Sequence, residues 1–126
     1  GGEFHSGMHL YEPHSAVMKA GCFGLLSTLF NVEAVAHDSH LFVSGELVPA
    51  FPGRRFRVDA VTSMNKKMLK KALAGISQAN IAVRNFPLSA VELHRRLRLK
   101  DGGDVYLFAT TDAVGRHWLL VCSKAG

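Results

Sequence analysis

Asn80-Ile81-Ala82-Val83-Arg84-Asn85-Phe86-Pro87-Leu88-Ser89-Ala90-Val91-Glu92-Leu93 carries a strand, its stop and a helix start in direct succession. Asn80 to Val83 is a short apolar strand, and Pro87 ends it because a proline ring offers no ladder N–H. Ser89 and Glu92 then form the S-x-x-E capping box, in which each side chain satisfies an orphan backbone N–H at a helix start. The spacing predicts a helix that buries Ala90, Leu93 and Leu97. Strand and helix follow one another directly.

Working outward, Lys100-Asp101-Gly102-Gly103 reads as a turn, and Val105–Thr110 with His117–Cys122 flank Asp112–Gly115 as a hairpin. Upstream, Phe56, Val58 and Ala60 alternate with Arg55, Arg57 and Asp59, as a half-buried strand over Arg54–Ser63 should. Ser63 or Asn65 can cap the next helix, whose stripe is Met68, Leu69, Ala72, Leu73 and Ile76, with Gly75 near its stop. The order β-α-β-α-β-β implies an α+β unit with helices on a mixed sheet.

The N-terminal part reads as a second, smaller α+β unit. Ser15 is a candidate N-cap for a helix to about Phe30, with Val17, Met18, Phe23, Leu25, Leu26 and Leu29 on its apolar face. Extended segments at Glu33–His37 and His40–Ser44 enclose an Asp38-Ser39 turn, and the unit ends near Pro52 and Gly53. Gly1 to Gly7 read as an expression-vector remnant ahead of Met8. Their Gly1-Gly2-Glu3-Phe4 spells the signature of cyclic-dinucleotide synthases, but that motif works at a hairpin tip inside a long catalytic domain, so the match is read as chance. The expected organisation is therefore 1–7 vector residues, 8–53 a small α+β segment, and 54–126 the larger unit.

The chain has 126 residues, 15 Lys and Arg against 10 Asp and Glu, and a formal charge of +5. Nine of those cations lie between Asn65 and Lys100, beside a single acid, Glu92. Such clustering favours an anionic partner, nucleic acid first. Two cysteines at opposite ends, Cys22 and Cys122, resemble neither a disulfide framework nor a zinc cluster, which suits a reducing, cytoplasmic home. No apolar run is long enough for a membrane span.

Lys66, Lys67, Lys70 and Lys71 fall on one solvent ridge of the first helix of the larger unit, and Arg95, Arg96 and Arg98 do likewise on the second, with Glu92 placed to pair Arg96 at i+4. Arg84 and Asn85 sit where a strand releases its side chains. There Arg can fork onto a phosphate and Asn can read a base edge. Phe86 and Pro87 read as architecture. His37 and His40 around Asp38, and the Asp101–Asp104 turn, lack the ligand number a metal needs. No nucleophile elbow, P-loop or dinucleotide fingerprint is present, so no catalytic, cofactor-binding or metal residue is assigned.

The run Arg84-Asn85-Phe86-Pro87, Leu97 to Lys100, Gly102-Gly103-Asp104 and Tyr106-Leu107-Phe108-Ala109-Thr110-Thr111 resembles the THUMP-like C-terminal domain of bacterial class I S-adenosylmethionine-dependent methyltransferases. Arg54, Phe56 and Asn65-Lys66-Lys67 match the same pattern. Leu10-Tyr11-Glu12-Pro13, Lys19-Ala20-Gly21 and Ser39-His40-Leu41-Phe42 resemble the small ferredoxin-like segment that precedes it in these enzymes.

The resemblance implies a C-terminal RNA-binding and positioning region of an RNA methyltransferase, with RNA, tRNA included, and an N-terminal methyltransferase domain as partners. S-adenosylmethionine is implied for that missing domain, and no activity is expected of this chain alone. On this reading Lys66, Lys67, Lys70, Lys71, Arg95, Arg96 and Arg98 grip phosphates while Arg84 and Asn85 contact a nucleotide. The alternative is a structural module that docks on the methyltransferase domain without touching RNA, for which Leu10, Phe23, Leu41 and Phe51 would be exposed together.

Overall fold

A seven-stranded sheet runs through the chain in the order β2-β3-β1-β4-β7-β6-β5. The computed structural model describes residues 4–21, 23–36 and 39–126. Its elements are β1 (His9–Pro13), α1 (Ser15–Lys19), α2 (Phe23–Phe30), β2 (Glu33–Ala34), β3 (Phe42–Ser44), β4 (Gly53–Thr62), α3 (Lys66–Ala72), β5 (Asn80–Arg84), α4 (Ala90–Leu97), β6 (Tyr106–Thr111) and β7 (His117–Lys124). The two segments that the sequence separates near residue 53 share this sheet, because β1 pairs antiparallel with β4 through Leu10↔Phe56. Parallel pairing occurs between β5 and β6, joined through α4 as a βαβ unit.

Local chemistry sets most boundaries. The Asn65 side chain accepts from the backbone N–H groups of Lys67 and Met68, so of the two candidate caps Asn65 starts α3. Ser89 and Glu92 form the reciprocal box expected at α4. Several expectations change. The single helix from Ser15 to Phe30 is two, parted where Gly21 takes φ +72, a left-handed conformation that costs glycine little. Ser15 is its first helical residue, with His14 before it and no side-chain cap. Met68, expected on the buried stripe of α3, is exposed, because the side of the helix turned to the sheet carries Leu69 and Leu73. The turn residues His37 and Asp38 lie outside the described residues.

The two faces of the sheet are covered differently. On the outer face Leu93 of α4 packs with Leu107, Ala109 and Leu119, joined by Leu69 of α3, while Leu26 of α2 packs with Tyr11, Phe42 and Phe51. The inner face buries Leu10, Val43, Phe56, Val58, Phe108 and Leu120 without one helical residue in the cluster. An open sheet cannot hide such a face from water unless it curls over itself. The register shift between Val58 and Ala60 supplies a bulge that adds twist. Residues 4–7, set aside on sequence, contribute: Phe4 meets Trp118 edge-on at 6.5 Å, and the Gly7 N–H donates to the Val58 carbonyl.

The β6–β7 hairpin is closed by Asp112, which is buried. Burial alone would push its carboxyl up, but hydrogen bonds from Trp118 Nε1, the Arg116 and Val114 amides and the Arg116 guanidinium outweigh that and hold it at about 2. A carboxyl lowered by folding contributes stability above its ordinary value, and that contribution is lost as pH falls through the folded one. Acid unfolding should therefore contain a component between about pH 4 and pH 2 that Asp112→Asn lacks. At neutral pH the same change should cost about 1–3 kcal/mol in a denaturant titration.

Candidate nucleic-acid interface

Lys66, Lys67, Lys70 and Lys71 are all exposed on α3, as are Arg95, Arg96 and Arg98 at the end of α4, where Arg98 takes the left-handed cap conformation. Glu92 is spent on its cap: its carboxylate accepts from the Ser89 N–H at 3.0 Å instead of pairing Arg96 as the i+4 spacing suggested. The Ser89 backbone and hydroxyl, with Arg95 and Arg96 nearby, hold that carboxyl below its ordinary range. Both helices pack on the outer face, α3 against β4 and α4 against β5. With β7 and β6 between those strands, the ridges are set apart by three strand spacings, roughly 14 Å.

Arg84 points the other way. Its strand neighbours Ile81 and Val83 belong to the outer cluster, whereas Ala82 packs against the inner one, and strand alternation puts Arg84 with Ala82. The structure thus divides the nine expected contact residues between two faces. Asn85 ends β5 at φ +56 and is exposed, its carbonyl accepting from Thr111 Oγ1 at 2.5 Å. Phe86 packs on the outer cluster and meets His117 edge-on at 5.5 Å, so it is architecture as expected.

The inner face reveals an arrangement that sequence reading missed. Glu12, from β1, receives Arg54 Nε and Nη2 on one carboxylate oxygen, both at 2.7 Å, and Arg84 Nη2 on the other. Arg54 also lies over the rings of Phe56 and Tyr106 at 5.1 and 5.8 Å, and Lys124 Nζ lies over Tyr106 at 5.5 Å. Gly53 allows this approach, since a Cβ there would run into the Glu12 carbonyl. Around the clamp, Pro13, Ser15, Met18, Lys19 and His40 complete an open cavity of about 470 Å³. Glu12 is 42 and 72 residues from its partners, and β1 was not read as a strand, so no local signal joined them.

In the βαβ unit the turn from β5 into α4 is Asn85-Phe86-Pro87-Leu88-Ser89, without the glycines that let a backbone approach a nucleoside cofactor. No group of three or more His, Cys, Asp or Glu among the described residues could hold a metal. His37, Asp38 and Cys22 lie outside them. Burial, then Asp59, pushes the Cys122 thiol up, which leaves it unreactive.

A curled α+β sheet with cationic helices outside and a clamped cationic cavity within is the class these observations define. The chain belongs to the THUMP domain-like family, whose model matches residues 53–124, and residues 9–52 match that of a ferredoxin-like domain. It is similar, at 36% identity and a TM-score of 0.86, to a solved structure described as "Crystal structure of putative methyltransferase from Porphyromonas gingivalis W83". That alignment covers 98% of this chain and 31% of the other protein. Among curated proteins nothing matches.

A double-mutant cycle measures the clamp. Glu12→Gln and Arg84→Gln, alone and together, should show a coupling of about 1 kcal/mol, modest because Arg84 is partly exposed. Coupling near zero would mean that the contact does not hold the curl.

Proposed function

We propose that this chain is the RNA-holding segment of a longer RNA methyltransferase, and that methyl transfer takes place in a domain outside it. The observation that carries this reading is the outer helical face: seven exposed cations on α3 and α4, with the acid between them already committed to a helix cap. Phosphates gain most from such a surface, because each neutralised charge releases condensed counterions. Kinship with the THUMP domain-like family and likeness to part of a methyltransferase from Porphyromonas gingivalis support the same assignment. The contribution to catalysis is orientation and local concentration of the substrate, with Asn85 as a nucleotide contact at the strand end and tRNA as the first substrate to try.

A second reading, docking on the methyltransferase domain, has one observation of its own. Leu10, Leu41 and Phe51 are buried and Phe23 half-buried, so the patch expected for docking does not form. Instead Leu25 and Leu29, one turn apart on α2, are 58% and 69% exposed. An apolar pair of this kind suits a protein neighbour.

Titration with tRNA and unrelated RNAs at two salt concentrations separates the readings. Binding should weaken steeply with salt, and each of Lys66→Ala, Lys67→Ala, Lys70→Ala and Lys71→Ala that removes a phosphate contact should reduce the logarithmic salt slope by about 1. Absence of binding to every RNA at low salt would contradict the RNA assignment and leave docking.

A further inference from the structure

We propose that the cavity around Glu12 on the inner face is a binding site for a phosphate monoester, separate from the outer helical face and independent of whether that face holds RNA. Three cations, Lys19, Arg54 and Arg84, line it with Glu12 as the lone carboxylate and His40 beside them. After Glu12 is offset, two positive charges remain, which matches the charge of a monoester near neutral pH, about −1.5 to −2, better than the single charge of a diester.

The clamp explains why those charges would act as a site and not merely as a staple. The Glu12 side chain is 15% exposed, whereas those of Arg54 and Arg84 are 47% and 36% exposed. The carboxylate side chain is thus largely covered while both arginine side chains stay partly open to solvent. Arg54 directs Nε and Nη2 at Glu12, so Nη1 is not used there. Arg84 gives Nη2 to Glu12 and Nη1 to the Val83 carbonyl, and neither of these bonds uses Nε. Guanidiniums already held in place lose little freedom when they fork onto phosphate oxygens. Stacking on Phe56 and Tyr106 further fixes Arg54. Pro13 and Met18 give the cavity an apolar side on which a sugar or base can rest. Lys19, at the end of α1, makes no ion pair among the described residues, so its charge remains available to a ligand.

A phosphate monoester could come from a free nucleotide or from the phosphorylated end of a nucleic-acid chain. Calorimetry with inorganic phosphate, AMP, adenosine, and one decaribonucleotide carrying either a 5′-phosphate or a 5′-hydroxyl tests both sources, with amide chemical shifts to locate each ligand. Saturable binding of phosphate and AMP, none of adenosine, and shifts at Lys19, Arg54 and Arg84 support the site. Preference for the 5′-phosphorylated oligonucleotide without AMP binding supports it with a chain end as ligand. Lys19→Ala, which leaves the clamp intact, should weaken binding about fivefold or more at an unchanged Tm, and Arg84→Gln should weaken it further. Lys66→Ala with Lys70→Ala should leave AMP binding unaltered. The proposal is overturned if neither phosphate, AMP nor the 5′-phosphorylated oligonucleotide binds saturably. It is also overturned if the two oligonucleotides bind alike and AMP does not bind, or if affinity for AMP falls with the α3 changes and not with Lys19→Ala.

Discussion

The contact between Glu12 and Arg84 joins two strands that are four positions apart in the sheet. At ordinary strand spacing a flat sheet would hold β1 and β5 roughly 19 Å apart, too far for these side chains to meet. The curl that brings them together also buries Leu10, Phe56, Phe108 and Leu120 without a helix over them. Hydrophobic burial supplies most of the driving force, since each of these side chains is worth about 1.5–3 kcal/mol when hidden from water. The ion pair contributes less energy and more geometry: it fixes which strands face one another across the inner surface. A sheet that closed less would expose that apolar face to solvent.

Closure on one side leaves the other for helices, and that division sorts the cations. The outer helices carry lysines and arginines on flexible stems with little acid nearby, a surface suited to a long anion whose phosphates need not meet fixed positions. Inside, Arg54 and Arg84 are held by a carboxylate and by aromatic rings, a setting suited to one compact anion in one pose. The clustered charge of the sequence is thus two surfaces with different physics. Arg84, nearest in sequence to the outer ridges, belongs to the inner one because a strand alternates its side chains between faces.

Much of this is legible in the sequence. The capping box at Ser89 and Glu92, the alternation through Phe56 and Val58, and the glycine-rich turn before Val105 are local signals, and the order of the larger unit follows from them. Most of what was not legible is non-local. β1 was missed because Leu10, Tyr11, Glu12 and Pro13 alternate too briefly to announce a strand. With it went Glu12, whose partners come from β4 and β5. The break between α1 and α2 was underread because an apolar face spanning Val17 to Leu29 outweighed Gly21. The sequence also gives no sign that Phe4 packs on Trp118, since residues ahead of the first methionine look like an appendage.

The two cationic surfaces differ first in which of them meets a long RNA. Lysine-selective chemical modification, read by mass spectrometry with and without a tRNA bearing a 5′-hydroxyl, tests that most directly. Protection of Lys66, Lys67, Lys70 and Lys71, with Lys19 and Lys124 still reactive, is the predicted result. Protection confined to Lys19 and Lys124, or equal reactivity everywhere at low salt, would contradict it.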